Sequence, residues 1–343
     1  MFKDVARYNY PSISIEFDDP NEAKKFTSAG DPIGYFLESG RRDLAKNLTV
    51  GQAMLAVLSD FFNFMYEGLI ALEKRKFVVS LALLRKPLKQ NLLYLTIMLA
   101  DDEAFFDGMA KTPAKNFDHP GIQDTHRLEY FRRAKSMLPF GGFVNPEFLH
   151  DIIFDLGLET GLAPLFDKAM HLVTGRKQIE TEDFNLNFVF KNPTDNDIYQ
   201  KIYKQLSYIL LYALLLEIEL FKRAGFEVDR LAKWYSLTGL GSYNGLFGKG
   251  RCSVCESLNR MMKPLLVCPH CDAPVRIRKR EAGRFFTSHK LFCRKCQHEH
   301  DFPLFWLLAK SRWLLSDDGR DGASVHEVVD EAKCSAEAIA PTS

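Results

Sequence analysis

Along most of this chain, apolar residues recur every three or four positions. In "GQAMLAVLSDFFNFMYEGLIALEKRK" they fall at 54, 55, 58, 61, 62, 65, 69 and 72, the stripe of an amphipathic helix. The same spacing predicts a helix from about Phe77 to Ala100, with Pro87 inside it. Proline lacks an amide hydrogen and crowds the preceding turn, so it should kink or divide that helix. Asp101 reads as the cap of a short helix, "DDEAFFDGMAK", whose leading acids suit the positive end of the helix dipole. After a loop with Pro113, Pro120 and Gly121, "QDTHRLEYFRRAKSML" is helical and stops at Pro139. Two shorter helices follow, one opened by Asn145 and Pro146, one closed by Gly175. The long run after Thr194 or Asp195, ending at Gly225, is expected to be the longest and central helix. "DFNLNFVF" breaks the pattern: Phe184, Leu186, Phe188 and Phe190 alternate, which predicts an isolated strand.

These elements set an organisation. Residues 1–48 mix turn signals with short apolar pieces and read as an irregular arm with a helix or two. Residues 49–240 form an all-helical domain. Five glycines in "TGLGSYNGLFGKG" mark 241–250 as a linker. A cysteine-rich module occupies 251–303, a C-terminal helix 304–315, and 316–343 is a polar tail. The tail is expected to be weakly ordered apart from a helical "SVHEVVDEAK", with Cys334 a spectator. The fold class is mainly α, a multi-helix N-terminal body with a small C-terminal β zinc ribbon.

Charge adds to this picture. The whole chain carries a formal +1, but residues 251–300 hold eleven Lys/Arg against four Asp/Glu, a local +7, which leaves −6 for the remainder. A basic patch on an acidic body suits phosphate backbones or acidic protein surfaces. The two greasiest runs are interrupted by Arg85, Lys86 and Lys89 and by Glu217 and Glu219. They fall short of the ~18–20 uninterrupted apolar residues of a membrane span. The N-terminal stretch has acids where a secretory signal would be apolar. The expectation is a cytoplasmic protein without a membrane partner.

Three Cys-x-x-Cys pairs lie within 45 residues, at 252/255, 268/271 and 293/296. In a reducing compartment that spacing points to metal rather than disulfides. "LLV-CPHC-DAPVRIR" and "HKLF-CRKC-QHEHDF" each place a pair between β-like flanks. They resemble the zinc-ribbon family over roughly residues 265–303. That resemblance implies one Zn2+ held by Cys268, Cys271, Cys293 and Cys296. Asp272 and Gln297 depart from it, standing where ribbons often have glycine. A second pairing joins Cys252 and Cys255 to Cys268 and Cys271. A third adds a second ion on Cys252 and Cys255 with two of His289, His298 and His300. In the plainest reading, Cys252 and Cys255 are free thiols. Four thiolates make a closed, electron-rich site, so the zinc is expected to be structural rather than catalytic.

Between the knuckles, Arg276, Arg278 and Arg280 alternate along a predicted strand, with "REAG" as a turn. Arg284, Phe285 and Lys290 follow. Cations beside aromatic rings are how sheet modules bind single strands. The leading expectation is a non-enzymatic protein that binds RNA or single-stranded DNA; the competing one is that the phenylalanines are core and the module meets a protein partner. "RFFTSH", Arg284 to His289, fits R-x4-H, and the helical body is similar in texture to the bundles of the HEPN-type ribonucleases that carry that motif. The family places the motif on a bundle helix, and the body here has no copy of it, so no catalytic residues transfer. His119, Asp124, His126 and Glu129 gather on one loop–helix segment, where a solvated surface is the simpler reading.

Overall fold

The computed structural model describes residues 15–17, 19–110, 121–188, 195–226, 229–310, 313–319 and 322–327. The chain divides into two compact units, Met1–Val228 and Asp229–Ser343.

The first unit is helical. Asp19 and Asp31 cap α1 (Pro20–Ser28) and α2 (Pro32–Glu38), each with proline in the first turn. α3 (Arg42–Glu73) follows and, at 32 residues, is the longest helix described. By length and composition alone it is also the one described helix able to cross a membrane. Its buried side is Met54, Leu58, Phe61, Met65 and Leu72, most of the predicted stripe. Within the described part of the N-terminal arm lie two helices, α1 and α2, and the start of α3. Phe36 on α2 packs with Ala45 on α3 and with Phe106.

Pro87 divides the next helix, as its missing donor requires. α4 (Phe77–Lys86) passes into a π turn, Pro87–Asn91, and then into α5 (Leu92–Ala100). The π turn closes with the Leu92 amide on the Pro87 carbonyl. Every residue of α5 except Tyr94 is buried, because it packs on α3, on α6 (Asp102–Ala110), on α7 (Asp124–Met137) and on α10 (Asp195–Arg223). The shorter helices α8 (Pro146–Phe154) and α9 (Ala163–Met170) lie between α7 and α10 in sequence. α10, at 29 residues, is shorter than α3, and α5 rather than α10 is the buried hub. Thr96 of α5 and Tyr212 of α10 share a hydrogen bond of 2.8 Å between two buried hydroxyls.

The predicted strand at Phe184 does not form among the described residues; Phe190 lies outside them, as do Thr194 and His119. Phe184 and Phe188 adopt positive φ, 59° and 56°, which ends any alternation. A polar knot sets this loop instead. Asn187 donates to the His171 carbonyl at 2.9 Å and accepts from Thr181 at 2.9 Å.

The second unit opens with α11 (Asp229–Leu246), one continuous helix through most of the glycines expected to be a linker. The correction has a steric reason. A Cβ on Gly241 would lie 2.3 Å from the Phe286 ring, and one on Gly245 would lie 2.4 Å from Ala282. These glycines are the seam where α11 meets α13 (Lys279–Ser288), so the residues predicted as the "REAG" turn are helical. α12 (Ser253–Met261) precedes the first knuckle. β1 (Lys290–Phe292) pairs antiparallel with β2 (Glu299–Asp301), with Leu291 opposite His300. The C-terminal helix α14 (Leu304–Lys310) ends before 315. β3 (Trp313–Gly319) and β4 (Gly322–Glu327) then form a hairpin inside the stretch expected to be a loose tail, with Leu315 opposite Val325. Cys334 lies outside the described residues.

Candidate metal centre

The two knuckles are built by backbone turns that return on themselves. In the first, the Asp272 amide donates to the Cys268 carbonyl at 2.9 Å, and the Cys268 amide to the Ala273 carbonyl at 2.9 Å. In the second, the Cys293 amide donates to the His298 carbonyl at 2.9 Å. Both turns pass through the left-handed region after their second cysteine, at Asp272 (φ 54°) and Gln297 (φ 58°). These are the two positions where ribbons often carry glycine. The left-handed turns are supplied by residues that adopt them less readily than glycine.

The knuckles bring four sulfurs together. Cys268, Cys271, Cys293 and Cys296 have all their Sγ atoms within 4.8 Å of one another. Cys268 and Cys296 are 3.6 Å apart, Cys271 and Cys293 3.7 Å. The thiols share protons. The Cys296 amide, donating to Cys293, does most to draw that thiol down to about 6. The His298 amide pulls Cys296 the same way, but burial and the surrounding thiols outweigh it and push Cys296 up to about 12. Four sulfurs packed this closely cannot all ionise without a cation among them. The group can hold a metal ion, and the first of the pairings weighed above is the one the fold assembles.

Cys252 and Cys255 stand apart, both buried, at the start of α12. The Cys255 thiol, helped by two helix-start amides and by the charge of Lys279, holds Cys252 below the ordinary thiol range; the same sharing pushes Cys255 up. Among the described residues they gather no third ligand. His298 and His300 stack beside one another, 6.3 Å between ring centres, with His270 5.3 Å from His298. Among the described residues neither is grouped with the four sulfurs or with Cys252 and Cys255.

The basic residues separate into two kinds. Arg276 and Arg278 are exposed on an extended segment and form no ion pair among the described residues, while Val275 and Ile277, which alternate with them, are buried. That segment is pinned from behind. Asn259 of α12 accepts from the Ile277 amide and donates to its carbonyl, both at 2.8 Å, as a neighbouring strand would. Arg280 has left this segment for α13 and lies 3.6 Å from Glu281. Arg284 bonds Glu299, and Lys290 lies 3.3 Å from the same carboxylate. Phe285 is 1% exposed, packed on Phe286 and Phe302, and offers no face to a base. Arg284 and His289, the R-x4-H pair, are both engaged elsewhere, Arg284 by Glu299 and His289 by the Trp234 ring at 4.6 Å.

Sequence reasoning missed the helix between the knuckles and the Asn259 clamp. α13 was legible only in its apolar face, Ala282, Phe285 and Phe286, spaced as a helix would space them. Family models, curated proteins and solved structures were all compared with the chain, and none matches.

Proposed function

We propose that the second unit is a zinc-braced module that binds single-stranded nucleic acid through Arg276 and Arg278. For the metal, the sulfur spacing carries the reading. A tetrahedral site with Zn–S of ~2.3 Å has S···S edges of about 3.8 Å, against 3.6 and 3.7 Å here. With four thiolate ligands the ion has no open position for a substrate, so its role is to hold the turns. For the nucleic acid, the observation that carries the reading is the exposure of Arg276 and Arg278 on one pinned segment, with no carboxylate partner among the described residues. Their backbone is pinned, so their charges are presented at fixed spacing. Phosphate contacts of this kind confer affinity without sequence choice.

The test is fluorescence anisotropy with single-stranded RNA and DNA oligonucleotides at low salt. Binding should weaken with salt, and Arg276→Glu with Arg278→Glu should lower the slope of log K against log salt by about 1.4, two single-strand phosphates' worth. Absence of binding at low salt, or an unchanged slope in the double variant, removes the nucleic-acid reading while leaving the metal site intact. A protein partner is the second reading. Leu265, Phe305 and Trp306 are exposed apolar residues of this unit, at 52%, 47% and 59%, and side chains of that size on a surface fit a docking face.

A further inference from the structure

Among the described residues of the helical unit, one group of cations has fewer acids beside it than charges to balance. Lys89 lies in the π turn and is 8% exposed. Its ion-pair partner, Asp167 Oδ1 on α9, is 4.0 Å away, beyond hydrogen-bond reach. The same oxygen is 4.0 Å from Arg85 Nη2. Asp167 Oδ2 accepts from Arg176 Nη1 at 3.2 Å. Arg127 of α7 adds its charge to the neighbourhood. Its guanidinium lies 4.9 Å from the Phe154 ring centre and donates to Asp124 at 2.6 Å. Beside it is His150, 9% exposed, whose buried Nε2 has no hydrogen-bond partner and lies 3.9 Å from that Asp124 carboxylate.

Among the described residues, three cations, Arg85, Lys89 and Arg176, thus share the single Asp167 carboxylate, an excess of two positive charges. Burial pulls the Lys89 ammonium below its ordinary value; Asp167 offsets part of this, and Arg85, Arg127 and Arg176 deepen it. A lysine present only for packing would carry its amine out to water. This one is turned inward by a π turn, a distortion often found at functional sites. Lys89 is the buried member, and a buried ammonium whose carboxylate lies beyond hydrogen-bond reach calls for a closer counter-charge.

We propose that the cluster of Lys89, Arg85 and Arg176 binds a dianionic oxyanion, a phosphate or phosphomonoester group. Near neutral pH such a group carries close to two negative charges and offers three acceptor oxygens. That matches the excess charge, and guanidinium forks suit its geometry. The site is separate from the cysteine module and does not depend on the reading of that module.

The experiment titrates the full chain with inorganic phosphate, and in parallel with sulfate, at ionic strength held constant with chloride. Melting temperature and calorimetric binding are read. Both dianions should raise the melting temperature beyond the chloride control, and phosphate should bind at one equivalent. Affinity should fall roughly tenfold or more in Lys89→Met and in Arg85→Gln with Arg176→Gln, since each removes charge-assisted hydrogen bonds. The arginine side chains are 39% and 66% exposed, so their replacement leaves the core packed and decides the matter should Lys89→Met fail to fold. Arg276→Glu with Arg278→Glu should leave phosphate binding unchanged, which separates this site from the nucleic-acid face. No dianion-specific rise, or unaltered affinity in the Arg85/Arg176 variant, overturns the proposal.

Discussion

Gln297 holds a left-handed backbone with a side chain that gains nothing from it. The left-handed region costs an L-residue roughly 1–2 kcal/mol, whereas glycine enters it freely but gives up ~0.5–1 kcal/mol of chain entropy. Gln297→Gly should therefore leave the metal-loaded protein unchanged or stabilise it by up to about 1 kcal/mol. Gln297→Val, β-branched, should cost more than ~1 kcal/mol. Thermal melts of the metal-loaded variants check both, and a Val variant as stable as the parent would show that the turn is not left-handed. The cysteine spacing was legible in the sequence because a knuckle is a local turn with its ligands three apart. The backbone angle at Asp272 and Gln297 was not legible, because neither residue announces it as glycine would. Phe285 illustrates the other limit. Its neighbours Arg284 and Lys290 invite a stacking role, but only the packing of α13 reveals that the ring is core. Phe285→Ala should accordingly cost about 3–5 kcal/mol of stability in the second unit, read by denaturant unfolding; a loss of oligonucleotide affinity with no loss of stability would restore the stacking role.

Between elements, the α11–α13 seam sets two local rules against each other. Helix propensity alone says that Gly241→Ala on α11 should stabilise by about 1 kcal/mol. The seam says otherwise, because the added methyl would meet the Phe286 ring at 2.3 Å, and Phe286 is wholly buried. Overpacking a tight contact costs ~1–3 kcal/mol, so the net effect should be destabilising. Gly51→Ala on α3, where an added Cβ would meet nothing within 4 Å, serves as the propensity control. Denaturant midpoints for the pair measure the sign; a stabilised Gly241→Ala would mean that the seam is loose. The contest also explains how the linker was misread. Glycine richness signals flexibility when nothing packs on it and close approach when a helix does, and composition is the same in both cases. Pro87 was the opposite case. Its covalent chemistry forces a break wherever it lies in a helix, so the division was legible, while the inward turn of Lys89 that the π form produces was not.

At the scale of the whole chain, the metal's share of the folding energy follows from what surrounds it. A ribbon of about forty residues on its own would depend on its ion for folding. Here the knuckles are part of a larger unit with an apolar core, including Val254, Leu258, Ile277, Phe285, Phe286 and Leu291, all buried. Most of that core lies on α12 and α13 or next to them. Removing the ion with a strong chelator should release one equivalent of metal, the same in a Cys252→Ser, Cys255→Ser variant, because those two cysteines gather no further ligand. Far-ultraviolet circular dichroism should keep most of its helical signal. Amide exchange should speed up in the knuckles, at Cys268, Asp272 and Cys293, and across β1–β2, where turns closed by one or two hydrogen bonds lose the tie between their sulfurs. The protection of α5 in the first unit should not change, since no ligand comes from that unit. Loss of the helical signal from α11 to α13 on chelation would mean that the ion nucleates the whole second unit, and two equivalents released would mean that Cys252 and Cys255 bind metal after all.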